Sequence, residues 1–261
     1  VEHPSPMMYR DIALNAEQQE AVLMAESHRI SLILGGAGSG KTTLINVLGR
    51  APLETVIAAP TGKAARNLRE RTGLTCRTIH SALGKIPDED FLDPVRWETV
   101  EMVITDEASM VSLEMLSGML NRMNPRCRLV LLGDPYQLPA VGSGNVISDL
   151  LALGIPSLTL KHQYRQGDQE TALRHNVTQF HSIPDAAGLH YDDSFQFWKT
   201  DGGAICETVC AEAAKRYLAG ENVQIIAPTK AEVWNLNQQM QSIVNPPAKN
   251  VPDIWYHGGT L

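Results

Sequence analysis

Eight residues near the start of the chain, from Gly35 to Thr42, match the pattern G-x-x-x-x-G-K-[S/T] at every position. In this pattern glycines let backbone N–H groups curl around a phosphate, the lysine reaches the terminal phosphates, and the threonine hydroxyl can ligate Mg²⁺. The alternative is a glycine-rich turn without a ligand, but an apolar run before the motif and helical periodicity after it argue against that. The predicted nucleotide-binding residues here are Gly35, Gly36, Ala37, Gly38, Ser39, Gly40, Lys41, Thr42 and Thr43.

Two adjacent acids, Asp106 and Glu107, follow directly on an apolar run at residues 100–105. Asp106 can hold Mg²⁺, and Glu107 can orient and deprotonate an attacking water. Taken alone, a pair of acids at a strand end is as often simply exposed to solvent as it is part of a functional site. Downstream of a phosphate-binding loop it favours hydrolysis of ATP, with Thr42 and Asp106 as metal ligands and Lys41 and Glu107 as catalytic residues. The adjacent acid also distinguishes the site from switch-type GTPases, in which a glutamine orients the water.

Short apolar runs alternate with helical periodicity through the first part of the chain. Predicted strands lie at residues 30–34, 55–59, 100–105, 128–133 and 158–160. Helices are predicted from an Asn15 cap to residue 27, from 41 to 48, from 62 to 71 with Thr61 as the cap, and from 113 to 123. This alternation predicts an α/β fold with a doubly wound parallel sheet. Ligands bind at the carboxyl ends of such strands, so the residues that follow them should converge there: Gly35, Pro60, Asp106 and Gly133.

After residue 165 the pattern loosens. Helices are predicted at residues 169–180, 208–218 and 230–244, and a strand at 223–227.

The composition is that of an ordinary globular protein, with 43% apolar and 20% charged residues and a net charge of −7. The net negative charge of the whole chain gives no indication of nucleic-acid binding, yet residues 61–85 hold six basic residues against one acidic residue. That stretch is either a nucleic-acid-binding face or a solvated helix face. Four cysteines without a C-x-x-C pair, and no apolar run long enough for a membrane span, predict a cytoplasmic protein that does not enter the membrane.

Further segments, in order along the chain, resemble the RecD-like DNA helicases of superfamily 1B, the type of the exonuclease V alpha subunit. They are LNAEQ at 14–18, APTGKAA at 59–65, TIH at 78–80, LGDPYQLPAVGSG at 132–144, YR at 164–165, and IAPT at 226–229 with LN at 236–237. The resemblance spans roughly residues 12–247. It implies a P-loop NTPase of the RecA-like kind, acting with ATP and Mg²⁺ on single-stranded and duplex DNA with 5′ to 3′ polarity.

The resemblance also implies roles for single residues. Gln18 would hydrogen-bond the adenine, and it could form a capping box with Asn15 at the same time. Gln137 would sense the γ-phosphate, and Arg165 would stabilise transition-state charge, which adds both to the catalytic set. The residues implied to contact DNA are Pro60, Thr61, Gly62, Lys63 and His80. For Thr61 a plain helix cap, and for His80 a structural hydrogen bond, remain equally open.

The same resemblance predicts the domain organisation. Residues 1–175 would form the first RecA-like motor domain, with a small pin insertion at about 85–98 in which Phe91 and Trp97 either stack on bases or pack beneath. Residues 176–261 would form part of a second RecA-like domain that lacks the later helicase motifs. On that basis we expect a fragment that hydrolyses ATP weakly and does not unwind DNA.

Several functional alternatives remain. A Pif-type helicase shares most of these motifs, although the VGSGNV continuation at 141–146 favours the RecD type. A non-catalytic, helicase-like scaffold and a small-molecule P-loop kinase are the rivals from other classes. The resemblance does not decide whether the protein acts in recombination or repair, alone, with other recombination proteins or in a nuclease complex.

Overall fold

The structure is a computed structural model that describes residues 7–9, 12–85, 93–162, 171–179, 188–199, 204–245, 255–256 and 259–260. The chain separates into two compact units, residues 1–189 and residues 190–261. The sequence predicts a boundary at 175/176 and a RecA-like identity for both parts, and that assignment stays a prediction.

A short antiparallel hairpin, β1 (Met7–Tyr9) with β2 (Ile12–Leu14), precedes the main sheet. The sheet itself has six strands: β3 (Ile30–Leu34), β4 (Thr55–Ala59), β5 (Arg77–Thr78), β6 (Met102–Thr105), β7 (Arg128–Gly133) and β8 (Ser157–Thr159). Their order is β5-β4-β6-β7-β3-β8, and every pairing is parallel. All strands therefore end at the same edge, as the alternating pattern predicts.

Helices cover both faces of this sheet. One face packs against α1 (Ala16–Ser27), α2 (Lys41–Gly49) and α3 (Gly62–Thr72). The other packs against α4 (Ile79–Ala82), α5 (Leu113–Arg122) and α6 (Val146–Ala152). Successive strand residues alternate between the two cores, since side chains point to opposite sides of a strand. The doubly wound α/β prediction is confirmed.

The second unit contains α8 (Ile205–Leu218) and α9 (Lys230–Val244), which follow α7 (Ala172–Gln179) of the first unit. A two-residue pair, β9 (Trp255–Tyr256) and β10 (Gly259–Thr260), lies near the end. The helices α8 and α9 contact each other where the Cys210 thiol lies 3.8 Å from the Leu236 carbonyl oxygen, and Cys210, Ala214 and Leu236 are all buried.

The predicted strand at 223–227 is wrong. The structure describes this segment without a strand, and Ile226 is 85% exposed. Its apolar, β-branched composition fits a strand, but a strand forms only where a neighbour satisfies its backbone groups.

In the part of the chain that the structure describes, we find no helix of the length and hydrophobicity that a membrane crossing requires.

Candidate nucleotide-binding site

The phosphate-binding loop connects β3 to α2, and its conformation depends on glycine. Gly38 and Gly40 have φ values of 79° and 94°, in the left-handed region that side chains disfavour. Gly40 caps α2 without a side-chain hydrogen bond, so the first N–H groups of that helix lack a side-chain acceptor there. The Ser39 hydroxyl donates to the Gly36 carbonyl at 2.9 Å and closes the loop on itself. Such an arrangement of N–H groups at a helix N-terminus binds a nucleotide's phosphates.

The Lys41 side chain folds back over this loop. Its ammonium donates to the Gly36 carbonyl at 2.9 Å and also to the Gly35 carbonyl. A cation held within the loop at this position suits a phosphate, whose oxygens are stronger acceptors than neutral carbonyls.

The loops that follow neighbouring strands lie side by side. The Gly35 N–H donates to the Gly133 carbonyl at 3.0 Å, which joins the end of β3 to that of β7. The Asp106 N–H donates to the Ala58 carbonyl at 3.1 Å, which joins the end of β6 to β4. The predicted convergence of Gly35, Asp106 and Gly133 at one edge of the sheet is therefore present.

Asp106 is partly buried at the end of β6. Burial, followed by the adjacent Glu107 carboxylate, raises its pKa to about 6, while the Lys41 ammonium acts in the opposite direction. A partly buried Asp106 carboxyl whose ionisation is disfavoured fits a divalent cation, which would favour its ionised form. With the Thr42 hydroxyl half-buried at the start of α2, this oxygen donor set suits Mg²⁺.

Glu107 has an unusual conformation. Its φ of 52° and ψ of 44° make it the one non-glycine residue with positive φ in the described part of the chain. Its Oε2 is buried and has no hydrogen-bond partner among the described residues. A strained backbone and an unpaired buried carboxylate oxygen both cost free energy and are typical of functional sites. This oxygen is available to accept a proton from a water.

Gln137 lies in the turn after β7 and is exposed. Its Oε1 accepts a hydrogen bond from the Ser109 hydroxyl at 3.2 Å. Ser109 belongs to the 3₁₀ turn Ala108–Met110 that begins directly after Glu107. The sequence reasoning did not single out Ser109, although its position two residues after Glu107 is a usable signal.

Gln18 is 3% exposed near the start of α1. Its Oε1 accepts from the Asn15 N–H at 3.1 Å, and the Asn15 side chain accepts from the Gln18 N–H at 2.8 Å. The predicted capping box is therefore present. Contact between the adenine and the side-chain nitrogen of Gln18 stays a prediction.

Glu17 is a second residue that sequence reasoning missed. Its Oε2 accepts from the backbone N–H groups of Lys161 and His162 at 2.9 and 3.3 Å. This contact ties the segment after β8 to the first turn of α1. A glutamate in the first turn of a helix is ordinarily interpreted as a favourable dipole interaction, which gives no hint of a partner 144 residues away.

The residues predicted to contact DNA lie after β4 and in α4. Pro60 is buried, and its contact with DNA stays a prediction. Thr61 caps α3 by accepting from the Ala64 N–H at 3.2 Å, which is the structural role left open for it. Gly62 and His80 are half-buried, and Lys63 is exposed.

Two predictions concern segments that the structure describes only partly. Arg165 lies outside the described residues, as does Phe91 in the predicted pin. Trp97 is 7% exposed and donates from Nε1 to the Ala82 carbonyl at 3.2 Å. Its indole therefore packs in the core, the alternative to base stacking.

Comparisons with known proteins identify the family to which the chain belongs. The family model described as an AAA domain matches residues 13–194. The ATP-dependent RecD2 DNA helicase of Deinococcus radiodurans is 30% identical over 244 residues, covering 89% of this chain and 33% of the relative. The RecBCD enzyme subunit RecD of Mycolicibacterium smegmatis is 32% identical over 204 residues, covering 60% and 36%. The chain spans about a third of the length of these curated relatives.

Solved structures share the fold. Bacteroides Pif1 bound to ssDNA matches with a TM-score of 0.52 at 20% identity, covering 87% of this chain and 56% of that one. Bacteroides Pif1 in complex with ADP-AlF4 matches at a TM-score of 0.51 over the same shares. Such a likeness shows fold alone, whereas the family model and the sequence relatives carry the assignment. The chain therefore belongs to the AAA domain family of P-loop proteins, and its resemblance to helicases of the RecD type is confirmed.

Proposed function

We propose that this chain is the ATP-hydrolysing part of a DNA helicase motor that binds ATP with Mg²⁺ and tracks along single-stranded DNA in the 5′ to 3′ direction. One observation carries the proposal. The phosphate-binding loop lies at the same edge of the sheet as the Glu107 carboxylate, whose buried Oε2 has no hydrogen-bond partner among the described residues. Binding alone would require only the loop, whereas an available carboxylate base suits attack by water on the terminal phosphate.

Each of the predicted site residues has its own proposed role. Lys41 and the N–H groups at the start of α2 bind the phosphates, and Gln18 contacts the adenine. Thr42 and Asp106 would hold Mg²⁺, which supplies charge neutralisation at the phosphates. Glu107 orients and deprotonates the water. Gln137 senses the γ-phosphate, and Arg165 stabilises the charge that develops there in the transition state.

The strand of DNA is proposed to pass over the segment after β4 and the start of α4. Thr61, Gly62, Lys63 and His80 present surface there, and exposed Lys63 offers a cation for the phosphate backbone. Contacts of this kind carry no sequence information, which suits a motor that moves along any sequence.

The partners beyond DNA follow from the relatives. The RecD of M. smegmatis is a subunit of the RecBCD enzyme, while the D. radiodurans relative is named as a helicase in its own right. We propose a cytoplasmic role in DNA recombination or repair, either alone or with other recombination proteins, including a nuclease complex.

The test is ATP hydrolysis by the chain and by a Lys41→Ala variant, with and without a single-stranded oligonucleotide. We expect hydrolysis that DNA stimulates and that the variant lacks. A rate that DNA leaves unchanged would favour the small-molecule P-loop kinase instead. Nucleotide binding without hydrolysis, with or without DNA, would favour the non-catalytic scaffold.

A further inference from the structure

A hydrogen bond between the side chains of Ser109 and Gln137 connects the loops after β6 and β7. The Ser109 hydroxyl donates to Oε1 of Gln137 at 3.2 Å. We propose that Ser109 is a positioning residue that orients the Gln137 amide so that its N–H groups face the γ-phosphate. The inference rests on the proposed function and deepens it, because it assigns recognition of the triphosphate to a pair of residues.

The orientation of a side-chain amide matters because its two ends are chemically opposite. The oxygen of Gln137 only accepts hydrogen bonds, and its nitrogen only donates them. A phosphate oxygen requires a donor, so an amide turned by 180° would present an oxygen to an oxygen. The Ser109 hydroxyl engages the accepting end and leaves the donating end for the phosphate.

Both loops are fixed well enough for such a contact to impose an orientation. The 3₁₀ turn is closed by bonds from the Met110 N–H to the Glu107 carbonyl at 2.9 Å and from the Val111 N–H to the Ala108 carbonyl at 3.1 Å. The loop after β7 is closed by the Gln137 N–H, which donates to the Asp134 carbonyl at 3.1 Å.

The two loops also pack directly against each other at Gly133. A Cβ added to Gly133 would lie 3.2 Å from the Ser109 nitrogen and 3.2 Å from the Ala108 Cβ. The Ser109 backbone is therefore held close to the strand that leads into Gln137. Because Ser109 also follows Glu107 by two residues, the turn that contains Ser109 contacts Gln137, the proposed phosphate sensor, and adjoins Glu107, the proposed base.

The experiment compares nucleotide affinities, which do not depend on turnover. Fluorescent ADP and a fluorescent non-hydrolysable ATP analogue are titrated with Mg²⁺ into the full chain. The chain is tested as wild type and as Ser109→Ala, Ser109→Thr, Gln137→Ala and the double alanine variant. Loss of one positioned hydrogen bond should lower the preference for the triphosphate about five- to tenfold in Ser109→Ala, with ADP affinity unchanged.

Three controls distinguish positioning from general damage. Ser109→Thr keeps a hydroxyl and should restore the preference. Ser117→Ala removes another serine of the neighbouring segment, one that accepts from the Asn121 side chain on α5, and should have no effect. The double variant should be no worse than Gln137→Ala alone, since Ser109 acts only through Gln137.

The results that overturn the inference are separate from those that overturn the function. If wild type prefers the triphosphate and Ser109→Ala keeps that preference, the positioning role is wrong while the function stands. Additive losses in the double variant would likewise show that Ser109 acts independently of Gln137. If wild type binds neither nucleotide, both the inference and the proposed function fail.

Discussion

The side-chain oxygen of Gln18 accepts the backbone N–H of Asn15 at 3.1 Å, while Asn15 caps the N–H of Gln18 at 2.8 Å. The Gln18 side chain thus stabilises the start of α1, and a contact between its amide nitrogen and the adenine base is the prediction to be tested. We predict that Gln18→Ala lowers the free energy of unfolding by about 1 kcal/mol through the lost cap. It should also reduce the preference for ATP over GTP, measured by competition binding.

Glu232→Ala is the matched control for that prediction. Thr229 and Glu232 form a second capping box at the start of α9, with bonds of 3.1 and 3.2 Å. Loss of this capping box should lower the free energy of unfolding by a similar amount, measured by urea unfolding. The preference for ATP over GTP should not change. Equal ATP and GTP affinities in the wild-type chain would show that Gln18 has only the capping role.

Asp106 gives a prediction about stability and pH in metal-free buffer. Its pKa is raised by burial from 3.8 to about 6, so the folded state binds the proton more tightly than the unfolded state. Stability therefore falls as the pH rises from about 4 to 6 and stays low above that range. At pH 8 the ionised Asp106 carboxylate lowers the free energy of unfolding by at most about 3 kcal/mol. Asp106→Asn should recover part of that loss.

Urea midpoints in the presence of a chelator, at pH 8 and pH 5, provide the measurement. The advantage of Asp106→Asn should be larger at pH 8 and shrink at pH 5, where the wild-type carboxyl is mostly protonated. An advantage that grew towards low pH would contradict the raised pKa. With Mg²⁺ and ATP added, the wild type should gain stability that the variant does not.

Glu107→Gln should separate hydrolysis from binding. Removal of a general base typically costs about 10²- to 10⁴-fold in rate, whereas ATP affinity should change little because the phosphate-binding loop is intact. The folded protein should be at least as stable, since the substitution removes the charge of a carboxylate whose Oε2 is buried and has no hydrogen-bond partner among the described residues. Glu114→Gln, at an exposed acid paired with Lys85, is the control for loss of charge. A Glu107→Gln variant that hydrolyses ATP at the wild-type rate would exclude this base.

The sequence predicted those parts of the fold that depend on local pattern. The bounds of α1 and α9 could be predicted from helical periodicity, with Asn15 as the cap of α1, and the structure adds Thr229 as the cap of α9. The strands before Gly35 and Asp106 are buried on both faces, and such strands appear as short, uninterrupted apolar runs. Because parallel strands end at one edge, the convergence of the loops could also be predicted.

Other features depend on tertiary contacts that no local pattern shows. The burial of Pro60 and Trp97 depends on neighbours distant in sequence, as does the absence of a strand at 223–227. The bond between Ser109 and Gln137 joins residues 28 apart, and its geometry is set by how two turns pack at Gly133. Similarly, the positive φ of Glu107 is imposed by the surrounding fold, since glutamate does not favour that conformation.

The contact between Glu17 and the segment after β8 gives a final prediction. A single carboxylate oxygen accepts from two successive N–H groups, those of Lys161 and His162, only three residues before Arg165. Glu17→Ala should remove the acceptor that both amides share and speed their hydrogen exchange about fivefold, the effect of losing roughly 1 kcal/mol of local stability. Glu20→Ala, at an exposed acid on the same helix, should leave those amides unchanged. Equal exchange in Glu17→Ala and wild type would mean that other contacts hold this segment.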